Sequence, residues 1–166
     1  MSAVHLADRL AEERVAEFKL ISHRRTERAS EEAAVIGAPP DEVGKTIVLV
    51  GDHGFVRAVI PASERLDLHK LRPLVGCGHD VRLATEDELA AAYPMFELGA
   101  VPPFGGPSDA AILDRRLALR ETVVVEAGTH SSSIRLATRD LVRLAAAQIV
   151  DLCAEEPVSA CKNAVS

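Results

Sequence analysis

Thr46-Ile-Val-Leu-Val-Gly-Asp-His-Gly-Phe-Val-Arg-Ala-Val-Ile60 contains two runs of mostly β-branched and aliphatic residues, separated by Gly51-Asp52-His53-Gly54. Two such runs around a short segment with glycine are typical of a β-hairpin. The first run is apolar after its first residue, as expected for a strand that is covered on both faces. The stretch therefore predicts a central hairpin around which a sheet is built.

Strand-like and helical segments alternate along the rest of the chain. Strands are predicted at 19–23, 81–84, 109–113, 121–126, 134–136 and 149–152, and helices near the N-terminus, at 31–36, after Asp67, at 86–92 and from Thr138 to about 147. Thr85 and Glu88 form the Thr-x-x-Glu pattern of a capping box. Strands joined in hairpins, with helices between them, predict a mixed α/β (α+β) fold rather than a doubly wound parallel sheet.

Length and hydropathy predict a single folded unit. The chain has 166 residues, 48% of them hydrophobic, which is enough for one well-buried core. We predict one domain over 1–152 and a loose C-terminal tail over 153–166, which lacks periodicity. The N-terminus carries charge early and no stretch reaches about 18 apolar residues, so we expect a cytoplasmic protein without membrane association.

The net charge and the rare residue types exclude several classes of function. A net charge of −6 argues against a broad nucleic-acid surface, and DNA is not an expected partner. Three cysteines without a CxxC pair predict reduced thiols, and the scattered histidines predict no metal site. No cofactor is predicted. Two groups of arginines could be contact patches or ordinary solvated faces: Arg24, Arg25 and Arg28, and Arg135, Arg139 and Arg143.

Gly99-Ala-Val-Pro-Pro-Phe-Gly-Gly-Pro107 must be a shaped loop, because neither a helix nor a strand can continue through so much glycine and proline. The prolines make the loop stiff, and its glycine peptide groups are not covered by side chains. Such a loop suits the binding of a ligand carbonyl or a water molecule. The alternative is a plain connector between two buried elements.

Two other segments carry polar groups at the ends of strands. Lys45 follows Gly44 and precedes an apolar strand, so its ammonium could bind a phosphate or ribose oxygen or could simply reach solvent. The segment is not a P-loop, because Pro39 stands where the first glycine would be needed. Ala-Gly-Thr-His-Ser-Ser-Ser at 127–133 offers an imidazole, His130, that could act as a general base or be an ordinary solvated side chain.

In order and spacing, Gly-Lys-Thr at 44–46, the loop at 99–107 and the segment at 127–133 resemble the YbaK/prolyl-tRNA-synthetase-associated domain family over roughly 18–152. The resemblance implies a curved, mostly antiparallel sheet, partly closed like a barrel, with helices around it. It also implies hydrolysis of the ester in wrongly charged aminoacyl-tRNA.

The resemblance assigns roles to individual positions. It implies that Lys45 contacts the aminoacylated adenosine and that Gly99 and Pro103, the GxxxP loop of the family, hold the ester and position the attacking water. We take Lys45, Gly99 and His130 as candidate catalytic residues. The candidate substrate-binding residues are His23, Pro103, Phe104, Gly105, Gly128, Thr129 and Ser131. Two departures from the family pattern concern Arg24, where relatives often have proline, and Ser132 or Ser133, where some have an acid.

The expected partner is the 3′ acceptor end of an aminoacyl-tRNA, and a transient complex with a synthetase is a further option. The family implies small groups such as alanine or cysteine on proline tRNA, but the residues do not specify the aminoacyl group or the oligomeric state. Two rival functions stay open. One is a non-catalytic module that binds an aminoacyl-tRNA end or a nucleotide, and the other is a hydrolase of an unrelated small acyl ester.

Overall fold

The computed structural model describes residues 3–15, 17–75 and 81–155. The helices are α1 (Ala3–Glu12), α2 (Ala29–Ile36), α3 (Leu68–Val75), α4 (Glu86–Ala92), α5 (Arg115–Ala118) and α6 (Thr138–Ala145), with a 3-10 turn at Pro40–Glu42. The strands are β1 (Phe18–Ser22), β2 (Val43–Gly51), β3 (Gly54–Pro61), β4 (Arg82–Leu83), β5 (Ala110–Asp114), β6 (Thr122–Thr129), β7 (Ser132–Ala137) and β8 (Gln148–Val150).

The strands form one mixed sheet in the order β1-β7-β6-β2-β3-β5-β8, with β4 paired to β2. The predicted hairpin is β2 and β3, which lie at its centre in antiparallel register with Thr46 opposite Val59. Four of the seven pairings are antiparallel. The predicted mixed α/β class, with a mostly antiparallel sheet and helices around it, is confirmed. Among the described strands β1 does not pair with β8, so the sheet is open.

Apolar clusters on the two sides of the sheet hold the helices in place. Leu6 and Leu10 of α1 pack with Leu141 of α6 against the inward side chains of β6 and β7. Leu71 of α3 packs with Ile60 in a second cluster on the other side. The helix spacing of leucines therefore predicts these two contacts correctly. No described helix combines the length and the apolar character that crossing a membrane would require.

Two local predictions differ from the structure. Phe18, expected on the face of the first helix, begins β1 instead, because the helix ends at Glu12 and Arg14 adopts a φ of +56°. The segment 128–133 is not an open loop: β6 continues to Thr129 and β7 starts at Ser132.

The predicted C-terminal tail starts in packed structure. Cys153 is fully buried and forms an isolated bridge with Leu66. The amide of Ala154 donates to the carbonyl of Arg65 at 2.7 Å. Residues 156–166 of this tail, and Cys77 and Cys161, lie outside the described residues. Burial raises the pKa of the free Cys153 thiol to about 12, so this cysteine is reduced and unreactive at neutral pH.

Candidate active site

A row of polar side chains crosses the centre of the sheet. Gly44 of β2 pairs with Val125 of the parallel strand β6, so Lys45 and Glu126 follow side by side. Glu126 in turn pairs with Ser133 of β7. Because side chains alternate along strands, Lys45, Glu126 and Ser133 project from one face of the sheet. We call them the central row.

Helix α2 covers the same face. Ala33 packs against Val43 and Val124, which are the residues two positions before Lys45 and Glu126. This packing brings Glu32, which is 1% exposed, against the central row. The helix is apolar on its sheet side apart from this one acid. A carboxylate is thereby buried over the sheet.

Glu32 is joined to His23 through Ser133. The Ser133 hydroxyl donates to Glu32 Oε1, and His23 Nε2 lies 2.8 Å from the same hydroxyl oxygen. His23 Nδ1 lies 2.7 Å from the carbonyl oxygen of Arg24, which can only accept, so this nitrogen carries a proton. His23, which follows β1, is thus placed beside the central row, and its Nε2 and Glu32 are the two ends of one hydrogen-bonded chain.

A β-bulge turns the end of β6 toward this cluster. The register shifts between Glu126 and Thr129, and Gly128 has a φ of +90°, a conformation that glycine adopts without strain. His130 follows in the turn, and its Nδ1 lies 3.8 Å from Glu126 Oε1. The bulge therefore places Glu126 and His130, four positions apart in the sequence, next to each other. Thr129 Oγ1 is buried there without a hydrogen-bond partner.

Three hydrogen bonds join Glu97 and Leu98, which precede Gly99, to this turn. Glu97 donates its amide to the carbonyl of Gly128 at 2.8 Å, and its carboxylate accepts the amide of His130 at 2.8 Å. His130 Nε2 lies 2.7 Å from the carbonyl oxygen of Leu98. Gly99 follows with a φ of +82°, and a Cβ there would lie 3.4 Å from His130 Cε1. An exposed glycine peptide group is thus held over a buried imidazole.

Several carboxylates converge on this imidazole. Burial, first, and then the negative charges of Glu32, Glu97 and Glu27 raise the pKa of Glu126 to about 8. Burial also raises the pKa of Glu32. The pKa of Glu97 is lowered instead, first by the His130 amide and then by Arg25. The cluster is strongly acidic, and its deepest members favour the protonated form.

Lys45 enters from the other end of the row. Its Nζ donates to the carbonyl oxygen of Glu64 at 2.6 Å, and burial lowers its pKa. Among the described residues, no hydrogen bond or ion pair links Lys45 to Gly99 or His130. Lys45 shares the sheet face of the site, but its ammonium is held at the rim.

The second half of the Gly99–Pro107 loop lies elsewhere. Phe104 is 6% exposed and packs with α1, and a Cβ on Gly105 would lie 3.1 Å from Leu6. Pro103 is buried beside them. The structure therefore places Pro103, Phe104 and Gly105 in or against the core, whereas Gly99 faces the turn.

The candidate residues thus separate into two groups. One group surrounds the buried imidazole: Gly99, Gly128, Thr129, His130 and, through Ser133, His23. Ser131 is exposed in the turn, and its carbonyl accepts the amide of His23 at 3.0 Å. The other group, Pro103 to Gly105, shapes the loop from behind.

Sequence reasoning missed Glu32, Glu97 and Glu126. A signal exists for Glu126, because an acid that directly follows Val123-Val-Val125 continues a buried strand. For Glu32 the sequence shows only an acid near the start of a predicted helix, and Glu97 carries no distinguishing local pattern.

The predicted arginine clusters are partly neutralised. Arg25 pairs with Glu27 and Glu97, and Arg135 lies 3.8 Å from Glu42. Arg139 lines a groove of about 800 Å³ together with Lys19, away from the buried imidazole. The groups near the site therefore offer few free positive charges.

Comparison with known proteins identifies the class of domain that has this fold and site. The model of the aminoacyl-tRNA editing domain matches residues 23–144. The chain belongs to this family, which confirms the resemblance to YbaK and prolyl-tRNA-synthetase-associated domains.

Three known proteins show how similar the sequence and fold of this chain are to those of its relatives. The chain is 33% identical over 114 residues to a proline–tRNA ligase of Solidesulfovibrio magneticus, covering 67% of this chain and only 19% of that enzyme. A solved structure described as a proposed trans-editing enzyme for prolyl tRNA synthetase has a TM-score of 0.81 and 28% identity, covering 93% of this chain and 99% of the other. A protein from work on epitope grafting onto scaffolds has a TM-score of 0.83 and 26% identity, covering 94% and 100%.

Proposed function

We propose that this protein is a free-standing deacylase that hydrolyses the ester of a mischarged aminoacyl-tRNA in trans. The substrate class is a small aminoacyl group, such as alanine or cysteine, on proline tRNA. The observation that carries the proposal is the exposed Gly99 peptide group held over the buried imidazole of His130. The solved structure described as a proposed trans-editing enzyme matches this chain over 99% of its own length. This match supports activity without an attached synthetase.

We propose a role for each candidate residue from the family resemblance and from its place in the fold. Lys45 anchors the terminal adenosine or its phosphate as a point charge. Peptide groups around Gly99 orient the ester carbonyl and the attacking water, and oriented dipoles at a partly dry site stabilise the oxyanion that forms as water adds. A hydroxyl of the substrate ribose can assist the proton transfer. Thr129, Ser131 and His23 border the pocket that receives the aminoacyl group.

His130 has a defined protonation state in this scheme. A carbonyl oxygen can only accept, so the contact with Leu98 places the proton on Nε2. The lone pair of the neutral ring is therefore on Nδ1, which can act as a general base or accept a hydrogen bond from the substrate, but not both at once.

The proposed partner is the 3′ acceptor end of the tRNA, with a transient synthetase complex as an option. The negative net charge predicts little contact with the rest of the tRNA. We expect the activity in the cytoplasm, where aminoacyl-tRNA is used.

The test is hydrolysis of a panel of labelled aminoacyl-tRNAs that includes Ala- and Cys-tRNA-Pro. We expect turnover by the wild type and its loss in Lys45→Ala. Lys70→Ala is the matched control, because Lys70 also donates to a backbone carbonyl, that of Cys153 at 2.8 Å, but lies on α3. Binding of the tRNA end without hydrolysis would replace the deacylase with a non-catalytic binding module. Hydrolysis of free esters without RNA would favour a small-ester hydrolase.

A further inference from the structure

Three side chains with open acceptor positions, Glu32, Glu126 and His130, lie at this end of the central row. Glu32 Oε2 and His130 Nδ1 are buried and have no hydrogen-bond partner among the residues that the structure describes. The Glu126 carboxylate, which lies 3.8 Å from His130 Nδ1, accepts no hydrogen bond from the residues that the structure describes. Unpaired buried polar atoms are costly, so their concentration at one place indicates a ligand.

For two of the three groups the fold explains why an acceptor position is open. His130 Nε2 carries the ring proton because it donates to Leu98, which leaves a lone pair on Nδ1. Glu32 Oε1 is already occupied by the Ser133 hydroxyl, which leaves Oε2 open. Glu126 lies next to Ser133 in the neighbouring strand. One donor group that carries several protons would therefore satisfy all three acceptors.

The nearby cations of the protein do not fill this position. Arg25 is bound to Glu97 and Glu27, and the ammonium of Lys45 donates to the carbonyl of Glu64. A metal ion does not suit the site either, because no three His, Cys, Asp or Glu side chains in the described ranges are arranged to hold one. Burial, first, and then the neighbouring carboxylates raise the pKa of Glu126, so a cation bound beside it would favour loss of its proton.

We propose that Glu126, Glu32 and His130 Nδ1 form a subsite for a primary ammonium group, the α-ammonium of the aminoacyl moiety. A group about 2.8 Å from both Glu126 Oε1 and His130 Nδ1 completes a triangle on their 3.8 Å separation, and an ammonium has a third proton for Glu32.

The position of the subsite fits an aminoacyl ester. An added Cβ at Gly99 would lie 3.4 Å from His130 Cε1 and 3.5 Å from Nε2, with Nδ1 more than 4 Å away. The α-nitrogen of an aminoacyl ester is two bonds from the ester carbonyl carbon. A carbonyl held at Gly99 therefore lets the ammonium extend past Cε1 toward Nδ1, the ring nitrogen bonded to the same carbon. This inference rests on the proposed function, because it takes the Gly99 loop as the ester site.

The test uses two non-hydrolysable probes, 3′-deoxyadenosine carrying an alanylamino group at the 3′ position and the lactylamino analogue. They differ only by an amine in place of a hydroxyl. At pH 7 the amine is largely protonated. We expect the wild type to bind the alanyl probe about tenfold to hundredfold more tightly, the range for a charge-assisted hydrogen bond, and Glu126→Gln to lose most of this preference.

Glu121→Gln is the matched control, because Glu121 is exposed just before the same strand. It should keep the full preference. Glu126→Gln should fold, since the amide replaces a carboxyl that burial keeps protonated, and thermal unfolding checks this. Equal affinity for both probes in the wild type, no detectable binding of either, or an unchanged preference in Glu126→Gln would each overturn the subsite.

Hydrolysis of aminoacyl-tRNA is measured separately. Hydrolysis with equal affinity for the probes leaves the proposed function standing and overturns the ammonium subsite. Preference for the alanyl probe without hydrolysis retains the subsite and makes the protein a binding module.

Discussion

The guanidinium of Arg57 donates to the carbonyl oxygen of Pro102 at 2.8 Å, so a side chain of the central hairpin holds the Gly99–Pro107 loop. The same group donates to the carbonyls of Gly105 at 2.7 Å and Pro107 at 3.1 Å and pairs with Asp109 at 3.0 Å. Arg57 is 1% exposed. The stiffness of the loop therefore depends on one buried cation as much as on its prolines.

Replacing Arg57 with Met should lower the free energy of unfolding by about 3–5 kcal/mol. It leaves Asp109 with only the Tyr93 hydroxyl as a donor, and three carbonyls lose their partner in a mostly buried site. Urea unfolding measures the loss. Arg82→Met is the control, because Arg82 pairs with Glu88 on the exposed surface, and it should change little. Similar small losses in both variants would contradict the role of Arg57.

The sequence shows the hairpin that carries Arg57 but not what Arg57 binds. Strand and helix periodicity is local, so β2, β3 and the capping box of α4 could be predicted from neighbouring residues alone. A charged residue in Phe55-Val-Arg-Ala-Val resembles an outward strand position. Its burial arises from a loop far along the chain.

The same reason limits prediction of the candidate site. The glycines and His130 mark it, because special backbone positions leave a local trace in the sequence. Glu32 and Glu126 are brought together only by the packing of α2 on the sheet. The central row depends on the parallel pairing of β2 with β6, which no local pattern specifies.

A comparison of Gly99→Ala with Gly37→Ala should separate the effect of backbone strain on stability from the effect on deacylation. The φ of Gly99 is +82°, and Gly37 at the end of α2 has a φ of +68° with nothing within 4 Å of an added Cβ. Alanine at either site should cost about 1–2 kcal/mol of stability from the left-handed backbone. Only Gly99→Ala should also lower kcat/KM for deacylation, by about tenfold to hundredfold, because it moves the loop that holds the ester.

Thermal unfolding and initial rates are measured on both glycine variants. Equal rates in Gly99→Ala and Gly37→Ala would remove Gly99 from the reaction site.

Ser133→Ala should destabilise the fold by about 1–3 kcal/mol, the cost of leaving a buried acceptor unsatisfied. The hydroxyl bridges Glu32 and His23, and its loss leaves both oxygens of Glu32 without a donor from the protein. Ser132→Ala is the neighbouring control on the opposite face, with an expected change within about 0.5 kcal/mol. Urea unfolding of both variants at pH 7 makes the comparison, and equal stabilities would show that the bridge contributes nothing.

The free energy of unfolding should depend on pH through the ionisation of Glu126. Burial, first, and then Glu32, Glu97 and Glu27 raise its pKa from 4.5 to about 8, while His130 faces it from the turn. Between these two values the native state holds a proton that the unfolded chain has released. Stability from this group is therefore complete below about pH 4.5 and is lost as the pH rises through 8.

Glu126→Gln removes this dependence without changing the shape of the side chain. Its stability relative to the wild type should rise from pH 5 to pH 9, by up to roughly 5 kcal/mol for a shift of this size. The raised pKa of Glu32 acts in the same direction in both proteins and largely cancels in the difference. Glu121→Gln should follow the wild-type curve throughout. Urea unfolding across the range measures the difference, and a constant offset between Glu126→Gln and the wild type would mean that Glu126 titrates normally.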